Sequence, residues 1–199
     1  MFTNLNLQNP DFLIKCNSLI YSNEVYIAMR NNHIERSYVY AIAMDDPQQK
    51  FQYKIIKVGK SSPQPGDNEV DVGERIARQL AHIGGWKYFT GMDPISSHGQ
   101  DFANAVNDAI KQKLLPSNFN KNMITVGVWD ITSRMPGVLQ TAITTEFLAT
   151  GYAEAELAKQ HKILYGELPI CNKQDPANYR VYNGGMYIPK SVGNLFGWV

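Results

Sequence analysis

The sequence predicts an α+β fold. Two β-rich runs flank a turn cluster, a helical pattern follows, and a further strand then precedes a long helical segment. Two consecutive strands before a helix, then a third strand and a helix, is not the alternation of a doubly wound parallel sheet. The large side chains needed for a core are present: eight Phe, eleven Tyr and three Trp.

Taken in order, Pro10 and Asp11 suggest a helix start, and residues 10–31 read as one or two short helices. Tyr38-Val39-Tyr40-Ala41-Ile42 is β-branched and aromatic, Asp45-Asp46-Pro47 is a turn cluster, and Phe51 to Gly59 resumes the β pattern. Together they form a hairpin. Ser61 to Asn68 holds two Pro and one Gly and reads as a loop. Asp71 is positioned to cap a helix running to Ile83, which Gly84-Gly85 would end. Residues 100–115 form a second helix, with Phe102, Val106, Ile110 and Leu114 at helical spacing and Pro116 after it. Met123 to Ile131 is a strand. Residues 138–165 read as helix, with Gly151 as the place for a bend. Gly166 to Pro176 is a loop, and Gly184-Gly185 within Tyr182 to Ile188 suggests a final hairpin.

The chain has 199 residues, 44% apolar and 19% charged, which fits one ordinary globular domain and rules out global disorder. No run of about 18 uncharged apolar residues is present, so no membrane helix is expected. The start, Met1-Phe2-Thr3-Asn4, lacks the basic segment and apolar run of a secretory signal. Two cysteines, Cys16 and Cys171, are too few for a disulfide scaffold or a zinc cluster, so a reducing cytoplasmic setting is expected. Net charge is +1, so cations for a nucleic-acid partner must gather on one face. Phosphate-loop, GxGxxG and HExxH patterns are missing, and Gly59-Lys60-Ser61 lacks the upstream glycine and following helix of a phosphate loop.

Two groups of residues carry possible chemistry. Tyr40 lies in the first hairpin strand, and Lys57, Gly59 and Lys60 end the second. Arg75, Arg78 and His82 fall together on the following helix. A phenol, two ammonium groups, guanidinium groups and an imidazole suit a phosphodiester anion. The second is Glu154. At about 100° per residue, Ile143, Phe147, Leu157 and Ala158 lie within about 60° of it, so this carboxylate projects from the apolar side of its helix. Such burial is costly unless a cation or metal meets the charge.

These residues resemble the GIY-YIG nuclease superfamily. Its two strand motifs would be Tyr38-Val39-Tyr40 and Lys57-Val58-Gly59, the latter continuing as Lys60-Ser61. The family then places an Arg on a helix, often with a His four positions on. Arg78 and His82 have that spacing, whereas Arg75 in Gly73-Glu74-Arg75-Ile76 is more similar to the family's helix start. A metal-binding Glu and an Asn in a Pro-containing loop would be Glu154 and Asn172, with Pro169 in the loop. Tyr38 stands where the family has its first Gly, and Lys57 replaces the Tyr of the second motif, as in some restriction-type and phage members.

The resemblance implies a small three-stranded antiparallel sheet flanked by helices. Residues 37–173 would be the catalytic core with an insertion at 84–121, residues 1–36 a helical extension and residues 174–199 a hairpin extension. It implies metal-dependent hydrolysis of double-stranded DNA, with one Mg²⁺ or Mn²⁺ held by Glu154. Tyr40 would serve as general base or orient water, its pKa lowered by Lys57 or Lys60. Arg75 or Arg78 would stabilise phosphate charge, His82 would relay a proton or bind phosphate, and Asn172 would hold the site together. With no evident appended DNA-binding module, a restriction-type homodimer cutting a palindrome is expected. Asn118, Asn120 and Asn122 on the insertion are candidate base readers, because amides pair bidentately with adenine. The alternatives are a homing or mobile-element endonuclease, a catalytically silent nucleic-acid-binding module, and a structural domain.

Overall fold

The computed structural model describes residues 9–22, 24–25, 36–45, 53–61, 72–87, 97–134 and 143–172. It is α+β, built on a four-stranded, wholly antiparallel sheet. The strands are β1 (Phe12–Lys15), β2 (Tyr38–Asp45), β3 (Tyr53–Ser61) and β4 (Ile124–Asp130), in the spatial order β1-β4-β2-β3. The helices are α1 (Val72–Leu80), α2 (Ser97–Lys111), the short α3 (Ile131–Arg134) and α4 (Ile143–Tyr165).

The fourth strand corrects the expected count of three, and replaces part of the helix read over residues 10–31. Phe12–Lys15 alternates half-buried and exposed residues and pairs with β4, Phe12 opposite Val128 and Lys15 opposite Thr125. Pro10 and Asp11 mimic a helix start, but the Asp11 carboxylate accepts from the Asp130 amide at 2.7 Å and anchors the new strand instead. Strand pairing is non-local, so nothing in four residues announces it. The turn residues Asp46 and Pro47, the cap Asp71 and the hairpin around Gly184-Gly185 lie outside the described residues.

Both faces of the sheet are covered, and the period-2 alternation of strands assigns each residue to a face. Tyr38, Tyr40, Ile42 and Met44 of β2 pack with Ile76 and Leu80 of α1 and with Phe102 and Val106 of α2. The alternate set Val39, Ala41 and Ala43 is also buried, as are Ala153, Leu157 and Ala158 of α4, which packs on β2 and β3. Between Ile42 and Ala43 the β2/β3 register skips Ile56, a bulge on the β3 edge. Leu114 does not continue the core stripe of α2. The helix ends at Lys111, Lys113 turns the chain with φ of 60°, and Leu115 is buried while Leu114 is 48% exposed. In contrast, α4 runs unbroken through Gly151.

Candidate active site

The site forms where Tyr40 crosses the edge strand. Tyr40 lies directly opposite Gly59, and its ring passes over that glycine. A methyl group at position 59 would stand 2.4 Å from both Cζ and Oη of Tyr40, so only glycine lets the phenol reach across β3. At that outer edge it meets α1. The Gln79 Nε2 amide donates to Tyr40 Oη, and the Arg75 guanidinium donates to the same oxygen.

Lys60 follows Gly59 and therefore points to the opposite face, toward α4. Its Nζ is 3.9 Å from Glu154 Oε2. It also lies against Gly151, where a Cβ would come within 3.2 Å of the ammonium. Glu154 is only 7% exposed. It belongs to a continuous inward stripe with Thr150, Ala153, Leu157, Ala158 and His161, the heptad-like spacing of a buried helix face. Tyr40, Lys60, Arg75 and Glu154 thus come from β2, β3, α1 and α4 and act on one another electrostatically.

These charges set the proton states. Burial pushes the Tyr40 phenol up to about 12; the Arg75 charge opposes this, the Glu154 charge adds to it, and the hydrogen bonds from Gln79 and Arg75 pull downward. The sequence expectation that Lys57 or Lys60 lowers this phenol is therefore corrected. Desolvation of a fully buried ring outweighs its neighbours, and the cation that helps is Arg75. Burial also holds Lys60 below the ordinary lysine range, with Glu154 working against the shift and Arg75 with it.

Arg75, not Arg78, is the arginine beside the phenol. Relative to Arg75, Gln79 is displaced by about 40° around the helix and Arg78 by about 60° to the other side, so the inward arc takes Gln79 and leaves Arg78 exposed. His82 is half-buried in the turn beyond the end of α1, so the helical spacing that grouped it with Arg75 and Arg78 does not extend to it. Lys57 pairs with Ile42, and its ammonium lies 4.8 Å from the centre of the Phe102 ring, on the α2 side.

Asn172 clamps the edge strand. Its Oδ1 accepts from the Val58 amide at 2.8 Å, and its Nδ2 donates to the Val58 carbonyl at 3.2 Å. One residue earlier the Cys171 amide donates to the carbonyl of the bulged Ile56 at 2.8 Å. The loop after α4 thereby covers the Ile56–Val58 stretch of the β3 edge, which leads into Gly59 and Lys60.

The three asparagines lie elsewhere. They precede β4, whose first residue Ile124 pairs with Met44, whereas Tyr40 pairs with Val128. Four strand residues separate these levels, about 13 Å. Asn120 is also committed: its Oδ1 accepts from the Asn122 amide at 2.9 Å and its Nδ2 donates to the Asn118 carbonyl at 2.7 Å, capping a 3₁₀ turn. That accounts for Asn120 as a turn residue, with one donor and one acceptor of its amide already in use. Asn118 and Asn122 are exposed.

Among the described residues no group of three His, Cys, Asp or Glu side chains gathers to enclose a metal. A hard divalent ion needs no such cage. It binds through one or two carboxylates and completes its shell with water and phosphate oxygens. The Glu154 carboxylate, 3.9 Å from the Lys60 ammonium, is a donor of the type such an ion takes.

Sequence reasoning missed Gln79 and Gly151. The signal for Gln79 was its four-residue spacing from Arg75; Gly151 carries no local signal, because its use depends on a lysine from a distant strand. Comparison of the chain with protein-family models, with curated proteins and with solved structures found no match.

Proposed function

We propose that this protein is a metal-dependent DNA endonuclease of the restriction type, hydrolysing phosphodiester bonds. The observation that carries the reading is the convergence of Tyr40, Lys60, Arg75 and Glu154 at the β3 edge from four separate elements. It rests also on the resemblance of the same residues to the GIY-YIG motifs.

Two cations and one carboxylate leave the cluster with a single positive charge, the complement of one phosphodiester. Arg75 presents a planar donor fork to phosphate oxygens and stabilises charge that develops on them. Lys60 adds a second cation with little water around it, which strengthens its pull. Tyr40 holds its proton at neutral pH, because its pKa lies near 12. It therefore acts first as a donor that orients water or a phosphate oxygen, and becomes a base only if bound charge draws the proton away. A divalent ion on Glu154 would supply Lewis-acid polarisation of the phosphate and a more acidic water. A homodimer would bring two such sites to a palindrome.

Incubation of a supercoiled plasmid with the protein, in Mg²⁺ or Mn²⁺ and in EDTA, tests this reading. Discrete metal-dependent fragments are expected, with Glu154→Gln lowering cleavage at least about 100-fold while DNA binding persists. Undiminished cleavage by Glu154→Gln removes Glu154 from the site. Binding without cleavage in either metal favours a silent nucleic-acid-binding module. A smear in place of bands counts against site specificity, and sedimentation of the protein with cognate duplex reads the dimer.

A further inference from the structure

We propose that Gln79 is a positioning residue of this site, acting through Tyr40 to hold one water molecule; the inference rests on the hydrolytic reading above. Gln79 is 3% exposed and follows Arg75 by one helical turn, on the inward arc of α1. Its Nε2 donates to Tyr40 Oη, as does Arg75. A phenol oxygen has two lone pairs, and these two donors occupy them. What that oxygen can still offer is its own proton, which must go to an acceptor.

Gln79 Oε1 supplies the other half of the arrangement. It is buried and has no hydrogen-bond partner among the described residues. A buried amide carbonyl left in this way carries a desolvation cost, and a small donor relieves it. Water fits both groups at once, accepting from the Tyr40 hydroxyl and donating to Gln79 Oε1. The ring cannot turn away to make another arrangement, because Tyr40 is 1% exposed and is seated over Gly59. Gln79 thus fixes both where the phenol oxygen lies and which way its proton points.

The test has a structural arm and a kinetic arm. In the nuclear magnetic resonance spectrum, the Gln79 side-chain amide should be displaced from a solvent-exposed glutamine. Tyr40→Phe should shift that signal. For kinetics, Gln79→Leu keeps an apolar volume in the core but removes donor and acceptor. It should lower kcat about 10- to 100-fold, the cost of leaving a buried polar group without its partner, with KM changed less than about twofold. Adding it to Tyr40→Phe should cost nothing further, because both changes remove the same unit. Gln79→Glu, close in shape, lacks the amide donor and should show the same kcat loss if the leucine variant folds poorly.

A Gln79 amide indifferent to Tyr40→Phe, or kcat losses that multiply in the double variant, would overturn the proposal. If the wild-type protein cleaves no DNA with any metal, the nuclease reading fails. The spectroscopic arm then still decides whether Gln79 and Tyr40 are coupled.

Discussion

Gly59 earns its place by what it lacks. A Cβ there would collide with the ring and the hydroxyl of Tyr40, both held in the core and unable to retreat. Gly59→Ala is therefore expected to behave as an overpacking mutation, costing roughly 1–3 kcal/mol, and to push the phenol off the β3 edge. Urea unfolding reads the first effect and the plasmid assay the second. A variant of wild-type stability would mean that the ring does not cross this glycine. Gly151 is different in kind. The atom a side chain would meet there is the end of the flexible Lys60, so Gly151→Ala should move the ammonium with little loss of stability. The same reasoning separates Arg75 from Arg78. On the nuclease proposal, Arg75→Ala should lower cleavage in the plasmid assay sharply, whereas Arg78→Ala, on the exposed side of α1, should change it far less.

Edge strands leave a row of backbone groups unpaired, and β3 disposes of part of that row through Asn172. Asn172→Ala removes two hydrogen bonds to Val58 and should cost about 1–3 kcal/mol, with the Val58 amide losing its protection from hydrogen exchange. Protection that survives would exclude the clamp. The far end of α4 carries a second lock. His161 is 2% exposed, stacks on Tyr165 with ring centres 4.6 Å apart, and places Nδ1 2.8 Å from the Glu167 carbonyl. Burial lowers its pKa below the ordinary 6.5, helped by the Lys54 charge and opposed by the Glu167 carbonyl and carboxylate. The depressed value means that its contribution to stability is present above pH 6.5 and is lost as pH falls through the folded-state value. Nε2 is buried with no hydrogen-bond partner among the described residues, so an added proton there finds no acceptor. Hydrogen-exchange protection factors in the last turns of α4 should fall on acidification below 6.5, and His161→Gln should remove that pH dependence. Equal acid sensitivity in the variant would place the titrating group elsewhere.

For the molecule as a whole, the buried acids sit on the alkaline side. Burial pushes Cys16 and Cys171 from 9.0 up to about 12, and Tyr40 from 10.0 up to about 12. Each folded-state value is raised, so each contribution is complete below the unfolded value and disappears as pH rises through the folded one. Stability should therefore decline between pH 9.0 and about 12. Lys60, shifted downward from 10.5, opposes part of that decline. Replacing both cysteines with alanine should flatten the alkaline arm of a pH–stability curve measured by urea unfolding. An unchanged slope would leave Tyr40 as its main source.

The order of hairpin, helix, strand and long helix was legible in the chain, because period-2 and period-3.6 patterns are properties of local sequence. So was the inward direction of Glu154, since a helix fixes the angle between any two of its residues. Tertiary structure alone decided that Phe12–Lys15 pairs with β4, that Gln79 rather than Arg78 joins Arg75, and that Asn120 closes a turn. It alone set the Tyr40 phenol high in spite of the Arg75 charge. Pairing partners, burial and charge come from residues far apart along the chain, and no local pattern encodes the neighbour that folding will deliver.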